Sequence, residues 1–338
     1  MQAEVKRKRK ALLMIWLILL VSLFLFGSIA NAADVRQITM GAAGSKGSWY
    51  MLGSTFAKII SANVPNVRLT CVVSPGASTE NCRRIHAREM EMGLSNSAVA
   101  YLAHHGLDIF SPTKHDVLAW FRTREMGFVI AVRAKSNIKS IEDLKGKKIS
   151  LDRKSAATYF QTVDILGLHG LEKKDYKEYN QSRGEGSKAL IDGRVDCWFY
   201  STAPRSTPHI TKMMAARKIR FISIDRNKIR PFLEKHPYYD LKDWVEVQGQ
   251  KQEKPVTWIR FCSHTMAGNY VDEKLMYDCT KAFFENIDQL HAVSPKYKVM
   301  NLDNALSGII IPVHPGAMRY YKEKGVEGCE NPALQYRP

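Results

Sequence analysis

Acidic side chains are scarce in this chain. Asp and Glu number 33 against 50 Lys and Arg, a formal charge of +17. A balance this basic suits acidic small ligands, a membrane surface or nucleic acid. Beyond the first ten positions the basic residues are scattered rather than blocked. Nucleic acid is therefore not expected as a partner, and a solvated basic face is the plain reading of most of these residues.

Metal and cofactor motifs are missing too. None of the six cysteines, Cys71, Cys82, Cys197, Cys262, Cys279 and Cys329, forms a C-x-x-C pair. That removes the usual zinc and thioredoxin patterns. There is no H-E-x-x-H. His104 and His105 are adjacent, and on a helix they would point about 100° apart, so we expect surface histidines. His314, flanked by prolines in "PVHPG", reads as a turn residue that hydrogen-bonds locally. No G-x-S-x-G elbow occurs, because Ala43-Gly44-Ser45-Lys46-Gly47 lacks its first glycine. The dinucleotide pattern G-x-G-x-x-G fails at Gly41-Ala42-Ala43-Gly44, and Lys46 stands in the wrong place for a P-loop. These absences point away from an enzyme, from a metal and from a cofactor. Low-complexity tracts and short tandem repeats are also lacking, which argues against a fibrous or solenoid protein.

The N-terminus carries a distinct signal. Lys6 to Lys10 are all basic, 11–29 is an apolar run, and Ala30-Asn31-Ala32 is an A-x-A site. This is the order of a secretory signal peptide over 1–32. An uncleaved leader that anchors the chain to a membrane is the alternative, since the apolar run is long for such a peptide. No later run is long and apolar enough to span a bilayer. The expected location is the periplasm. An even cysteine count in an oxidising compartment allows disulfides. Buried free thiols are the alternative for Cys71 and Cys197.

The remaining 300 or so residues suffice for two lobes. Short apolar strands alternate with amphipathic helices. A strand at 67–73, a helix at 79–89 capped by Ser78, and a strand at 90–95 form a βαβ unit, so the class is α/β. "VLAWFR" (117–122) and "GFVIAVRA" (127–134) read as two further apolar segments. Ser140 is expected to cap a short helix with Asp143 in its first turn, before a strand at 147–151. Each half repeats a strand, a small-residue turn and a helix. The turns are "GAAGSKGSWY" and Asp152 to Thr158. Two such halves imply two lobes around a cleft, with ligands at the carboxyl ends of strands. The expected boundaries are 33–130 for lobe 1, 131–254 for lobe 2, and 255–338 returning to lobe 1.

The first turn offers backbone N–H groups and hydroxyls to an anion, with Trp49 and Tyr50 as flat walls. Glu80 sits in a first helical turn, where a carboxylate favours the positive helix end, and is assigned a structural role.

The motif order resembles the TAXI-type solute-binding subunits of TRAP (tripartite ATP-independent periplasmic) transporters. The matching stretches include "GAAGSKGSWYMLGSTFAKII", "SPGASTENCRRI", "LSNSAVAYLAHHG", "ALIDGRVDCWFYST" and "NALSGIIIPVHPGAMRYYKEKG", which run through nearly all of the chain after the leader. The resemblance implies a two-lobed, type II periplasmic-binding-protein-like fold, with a mixed, mostly parallel sheet and flanking helices in each lobe. It implies a monomer that closes its cleft on a small acidic solute, such as a carboxylate, a glutamate-like amino acid or a dicarboxylate. It also implies delivery to integral membrane permease subunits. A sensor subunit or the binding subunit of an ATP-driven importer is the competing use of the same fold.

The family's binding positions fall on Ser45, Gly47, Ser48, Trp49 and Tyr50 in the first turn. They fall on Ser78 in the Gly76–Asn81 stretch, and on Asn96 and Ser97 after the third strand. In the second lobe the family's turn falls on Ser155 and Thr158, and we add Ser201 and Thr202 at a strand end. The second turn departs from the family, with Ala156 for its serine and Ala157 for its second glycine. Arg124-Glu125 stands where the family often has Tyr-Pro. Arg124 and Lys46 are candidates to supply the charge that the lost hydroxyl no longer provides.

Overall fold

The computed structural model describes residues 35–45, 48–154, 157–205, 207–216 and 219–337. The leader expected at 1–32, together with Lys46, Gly47, Ser155 and Ala156, lies outside them. The first elements are β1 (Arg36–Gly41), α1 (Ser48–Asn63), β2 (Val67–Val72), α2 (Ala77–His86), β3 (Met92–Asn96) and α3 (Ser97–His105). A strand of 17 residues follows, β4 (Val117–Arg133). The second set is β5 (Lys148–Leu151), α4 (Ala157–Leu168), β6 (Lys177–Asn180), α5 (Arg183–Asp192), β7 (Cys197–Thr202), α6 (Pro208–Ala216), β8 (Ile219–Phe221) and α7 (Arg226–Lys235). The chain then forms β9 (Asp240–Val247), the 19-residue β10 (Gln250–Gly268), α8 (Glu273–Glu285), α9 (Ile287–Val293) and α10 (Pro315–Glu323).

Pairing is parallel inside each half. β1 lies between β2 and β3, and β5 lies between β6 and β7. The halves are joined by β4 and β10, which run antiparallel to each other and to their neighbours, in the order β2-β1-β3-β10-β4-β7-β5-β6. Two apolar cores result. One gathers residues of β1 to β3, the first part of β4 as far as Phe121, and the chain from Cys262 onward. The other gathers Phe128 to Phe261, with Ala98. Both long strands leave one core and enter the other. The protein is thus a two-lobed α/β fold with flanking helices, hinged on two adjacent strands.

Gly127 sits where β4 changes partners, opposite Arg260 on one side and Thr202 on the other. A Cβ there would stand 3.3 Å from the Ile259 carbonyl oxygen, so a side chain would need the neighbouring strand to give by a few tenths of an ångström. Three residues earlier the ladder slips. Arg124 faces Ser263 and Arg122 faces His264, which leaves Thr123 as the extra residue of a bulge. Its Oγ1 donates to the Ser263 carbonyl at 2.9 Å. Bulges bend a strand and re-aim the side chains beside them. Here those side chains are Arg122 and Arg124.

Local chemistry explains most element ends. Asn96 caps α3, accepting from Val99 N–H at 2.8 Å, and Gly106 closes it at φ 65°. Ser182 and Glu185 form a capping box on α5. Asp272 caps α8 and His314 caps α10.

Four sequence expectations are corrected. "VLAWFR" and "GFVIAVRA" are one strand, because the polar residues between them line the cleft instead of ending the element. Ser78 does not cap α2; the helix starts earlier, and Glu80 takes the Gly76 N–H at 2.7 Å. Ser140 caps nothing, since Asp143 accepts from the N–H groups of Lys139 and Ser140. Of the two adjacent histidines expected at the surface, His105 is exposed, but His104 is half-buried, with its Nδ1 3.0 Å from the Val117 carbonyl oxygen. The six cysteines are all free, and all but Cys71 are buried. Burial pushes the thiols of Cys82, Cys262 and Cys279 up to about 12, which keeps them unreactive.

Candidate functional site

Where β4 passes from one core to the other, the lobes enclose a cavity of about 350 Å³. That is within the range of small-ligand sites. Arg122, Arg124 and Glu125 come from β4, Arg205 and Trp244 from the second half, and Lys298, Val299, Asn301 and Asn304 from the segment after α9. A narrower recess shares Arg124 and Val299 and adds Ser48, Trp49, Thr123, Lys296 and Tyr297. The first turn of α1 and the crossing strand thus meet at Arg124, whose Nη2 donates to Ser48 Oγ at 3.5 Å.

The site is positive. Glu125 is the only carboxylate among the described lining residues of the larger cavity, and it is already engaged. Its Oε1 lies 2.6 Å from Lys242 Nζ, 3.4 Å from Arg260 Nη1 and 3.8 Å from Arg122 Nη1. Burial pulls the Glu125 carboxyl up, but Lys242, Arg122 and Arg260 together outweigh it and hold the group below its ordinary value. Glu125 therefore stays ionised. Lys242 also stacks over the Trp244 ring at 4.9 Å, and Arg205 approaches the same ring at 5.8 Å.

Arg124 is different. It has no carboxylate partner among the described residues. Burial first, then the like charge of Arg183, lowers its guanidinium to about 10. It remains a cation at neutral pH, held where a cation is costly. The Nε of Arg124 and of Arg122, and the indole N–H groups of Trp49 and Trp244, are buried without a hydrogen-bond partner among the described residues. Buried donors in this condition cost free energy unless something accepts from them. With the Tyr297 hydroxyl, also buried without a partner among the described residues, five such donors surround two adjoining recesses, a constellation suited to an anion.

Of the residues expected from sequence, Ser48, Trp49 and Arg124 come together here. Ser45 and Tyr50 line a different cavity, with Met51, Lys58, Gln289 and Val293. Ser78, Asn96 and Ser97 have internal work: Ser78 Oγ accepts from Asn96 N–H at 3.2 Å, Asn96 caps α3, and Ser97 Oγ accepts from Cys262 N–H at 3.2 Å. Thr158 donates to Asp152 at 2.8 Å. Ser201 and Thr202 are buried in β7. Gly47 and Ser155 lie outside the described residues.

Arg122, Arg205, Trp244, Lys298 and Asn304 also line the cavity and were not expected from sequence. The available signal was "RTRE", Arg122 to Glu125, a charged insert in an otherwise apolar run. A larger open groove of about 830 Å³ runs along α1 and the edge strand β2. Of the buried donors without partners, none lines that groove. Among the described residues, no three His, Cys, Asp or Glu are placed to hold a metal ion.

Residues 40–325 match the model of the NMT1-like family. Similar solved structures include a TctC solute binding protein from Polaromonas, at 14% identity over 79% of this chain and 88% of that one, with a TM-score of 0.49. Another is the periplasmic aliphatic sulphonate binding protein SsuA from Escherichia coli, at 14% identity over 85% and 83%, with a TM-score of 0.45. Likeness at this level carries neither a ligand nor a partner across.

Proposed function

The chain belongs to the NMT1-like family, and from that premise we propose that it is an extracytoplasmic solute-binding protein for a small organic acid. The observation that carries this reading is Arg124, a cation without a carboxylate partner among the described residues, at an interlobe cavity beside a hinge of two strands. An acid seated on Arg124 would accept from its guanidinium and from the neighbouring orphan donors. Contacts from both lobes would favour the closed form by the difference in affinity between closed and open states. Arg205 and Trp244 supply the second-lobe side, and Lys298 and Asn304 the first. Export is supported by the leader pattern at 1–32. Delivery to a TRAP-type permease is supported by the order of motifs along the chain.

Thermal melting tests the reading. Mono- and dicarboxylates, amino acids and 2-oxo acids are added one at a time at millimolar concentration. At about 100-fold excess over Kd, a ligand that binds only the folded form adds about 2.7 kcal/mol. We expect at least one acid to raise the midpoint and neutral analogues to leave it unmoved. A panel in which amides and alcohols shift the midpoint as much as acids would refute the assignment.

A further inference from the structure

The charges that suit the filled cleft also act on the empty one. On the premise that the cleft binds an acid, we propose that like charge on the two lobes holds the empty cleft open. Arg205 is the second-lobe cation in this arrangement, and the bound acid turns its repulsion into a bridge.

Cations stand on both sides of the cavity. Arg124 reaches Ser48 of α1, and Lys298 lies between Tyr297 and Met300, which belong to the first core. Arg205 approaches the ring of Trp244, which belongs to the second core. Among the described residues the lining carries four cations, Arg122, Arg124, Arg205 and Lys298, against the single carboxylate of Glu125. That carboxylate is shared by Lys242, Arg260 and Arg122, so it offsets little of the charge on the rest. Arg124, Arg205 and Lys298 have no carboxylate within ion-pair distance among the described residues. Charge on the second lobe is felt by Arg124. After burial, the like charge of Arg183, at the start of α5, is what lowers its guanidinium.

Bringing the lobes together brings these charges closer, and their repulsion grows as the separation shrinks. Arg205 and Lys298 are exposed, so salt screens them. The screening length falls from about 30 Å at 0.01 M to about 3 Å at 1 M. An acid between the lobes replaces repulsion with attraction on both sides. Its affinity for the closed form then exceeds that for the open form, which is what closure requires.

Single-molecule energy transfer between a dye on each lobe tests this without any ligand. At about 10 mM ionic strength, Arg205→Met is expected to raise the ratio of closed to open forms about fivefold, and Arg205→Met with Lys298→Met about tenfold. Raising sodium chloride to about 1 M is expected to close the wild type to a similar extent and to change the double variant less than twofold. Equal ratios in wild type and both variants overturn the proposal. So does a double variant that responds to salt as the wild type does, since salt would then act elsewhere. Neither result touches acid binding, because no acid is present. Failure of every acid in the melting panel overturns the premise instead, and with it the bridging role.

Discussion

Replacing Arg124 by Met weakens binding of the acidic solute about 100-fold, or about 2.8 kcal/mol, and does not lower the melting temperature of the unliganded protein. The two halves of this result have one cause. In the free protein Arg124 is a half-buried guanidinium whose buried Nε has no partner among the described residues and whose Nη2 has only a 3.5 Å contact with the Ser48 hydroxyl, and burial lowers it to about 10. An ion held this way costs stability, and a methionine of similar reach removes that cost while filling the space. In the complex the same charge is matched, and a hydrogen bond to a charged group contributes about 1.5–3 kcal/mol. Titration calorimetry measures the first half and melting the second. A variant that binds normally, or one that unfolds several degrees earlier, shows Arg124 to be a structural residue.

Acid sensitivity is the second large effect. His264 and His314 are each only 1% exposed. Burial lowers both imidazoles to about 4, against weaker opposing pulls from the Thr265 and Val271 carbonyls respectively. Their folded values lie below the value of about 6.5 expected when unfolded. The unfolded chain therefore takes up protons first as the pH drops. The stability these groups contribute is present above pH 6.5 and is lost as pH falls from there toward 4. By pH 4.5 the loss is about 2 kcal/mol for each histidine, a large share of the 5–15 kcal/mol typical of a folded protein. Urea unfolding at pH 7 and pH 4.5 reads it directly. His264→Gln, in a hinge strand opposite Arg122, should remove about 2 kcal/mol of the drop. A drop of unchanged size in that variant and in His314→Gln would place the acid-labile groups elsewhere.

The α/β alternation was legible because strand and helix periods differ and because Gly and Ser punctuate the βα turns. The hinge was not. Arg122 to Glu125 broke the apolar run, and local patterning treats such a break as the end of an element. Only the opposing lobes reveal that these charges face a cleft. The capping errors share a mechanism: at Ser78 and Ser140 a nearby carboxylate, from Glu80 or Asp143, outcompeted the hydroxyl for the turn N–H groups. At the site, Ser48 and Trp49 were visible from the turn, and Arg124 from its departure from the family pattern. Arg205, Trp244 and Lys298 come from segments about 40 to 55 residues apart in sequence. No local signal links them, and their convergence is a property of the tertiary fold.

Crystals grown with the acid that raises the midpoint most would test the central claim directly. The account predicts electron density for that acid in the interlobe cavity, with one carboxylate on the Arg124 guanidinium. Density instead in the groove along α1 and β2, or beside Ser45 and Tyr50, with the Arg124 cavity unoccupied, would contradict it.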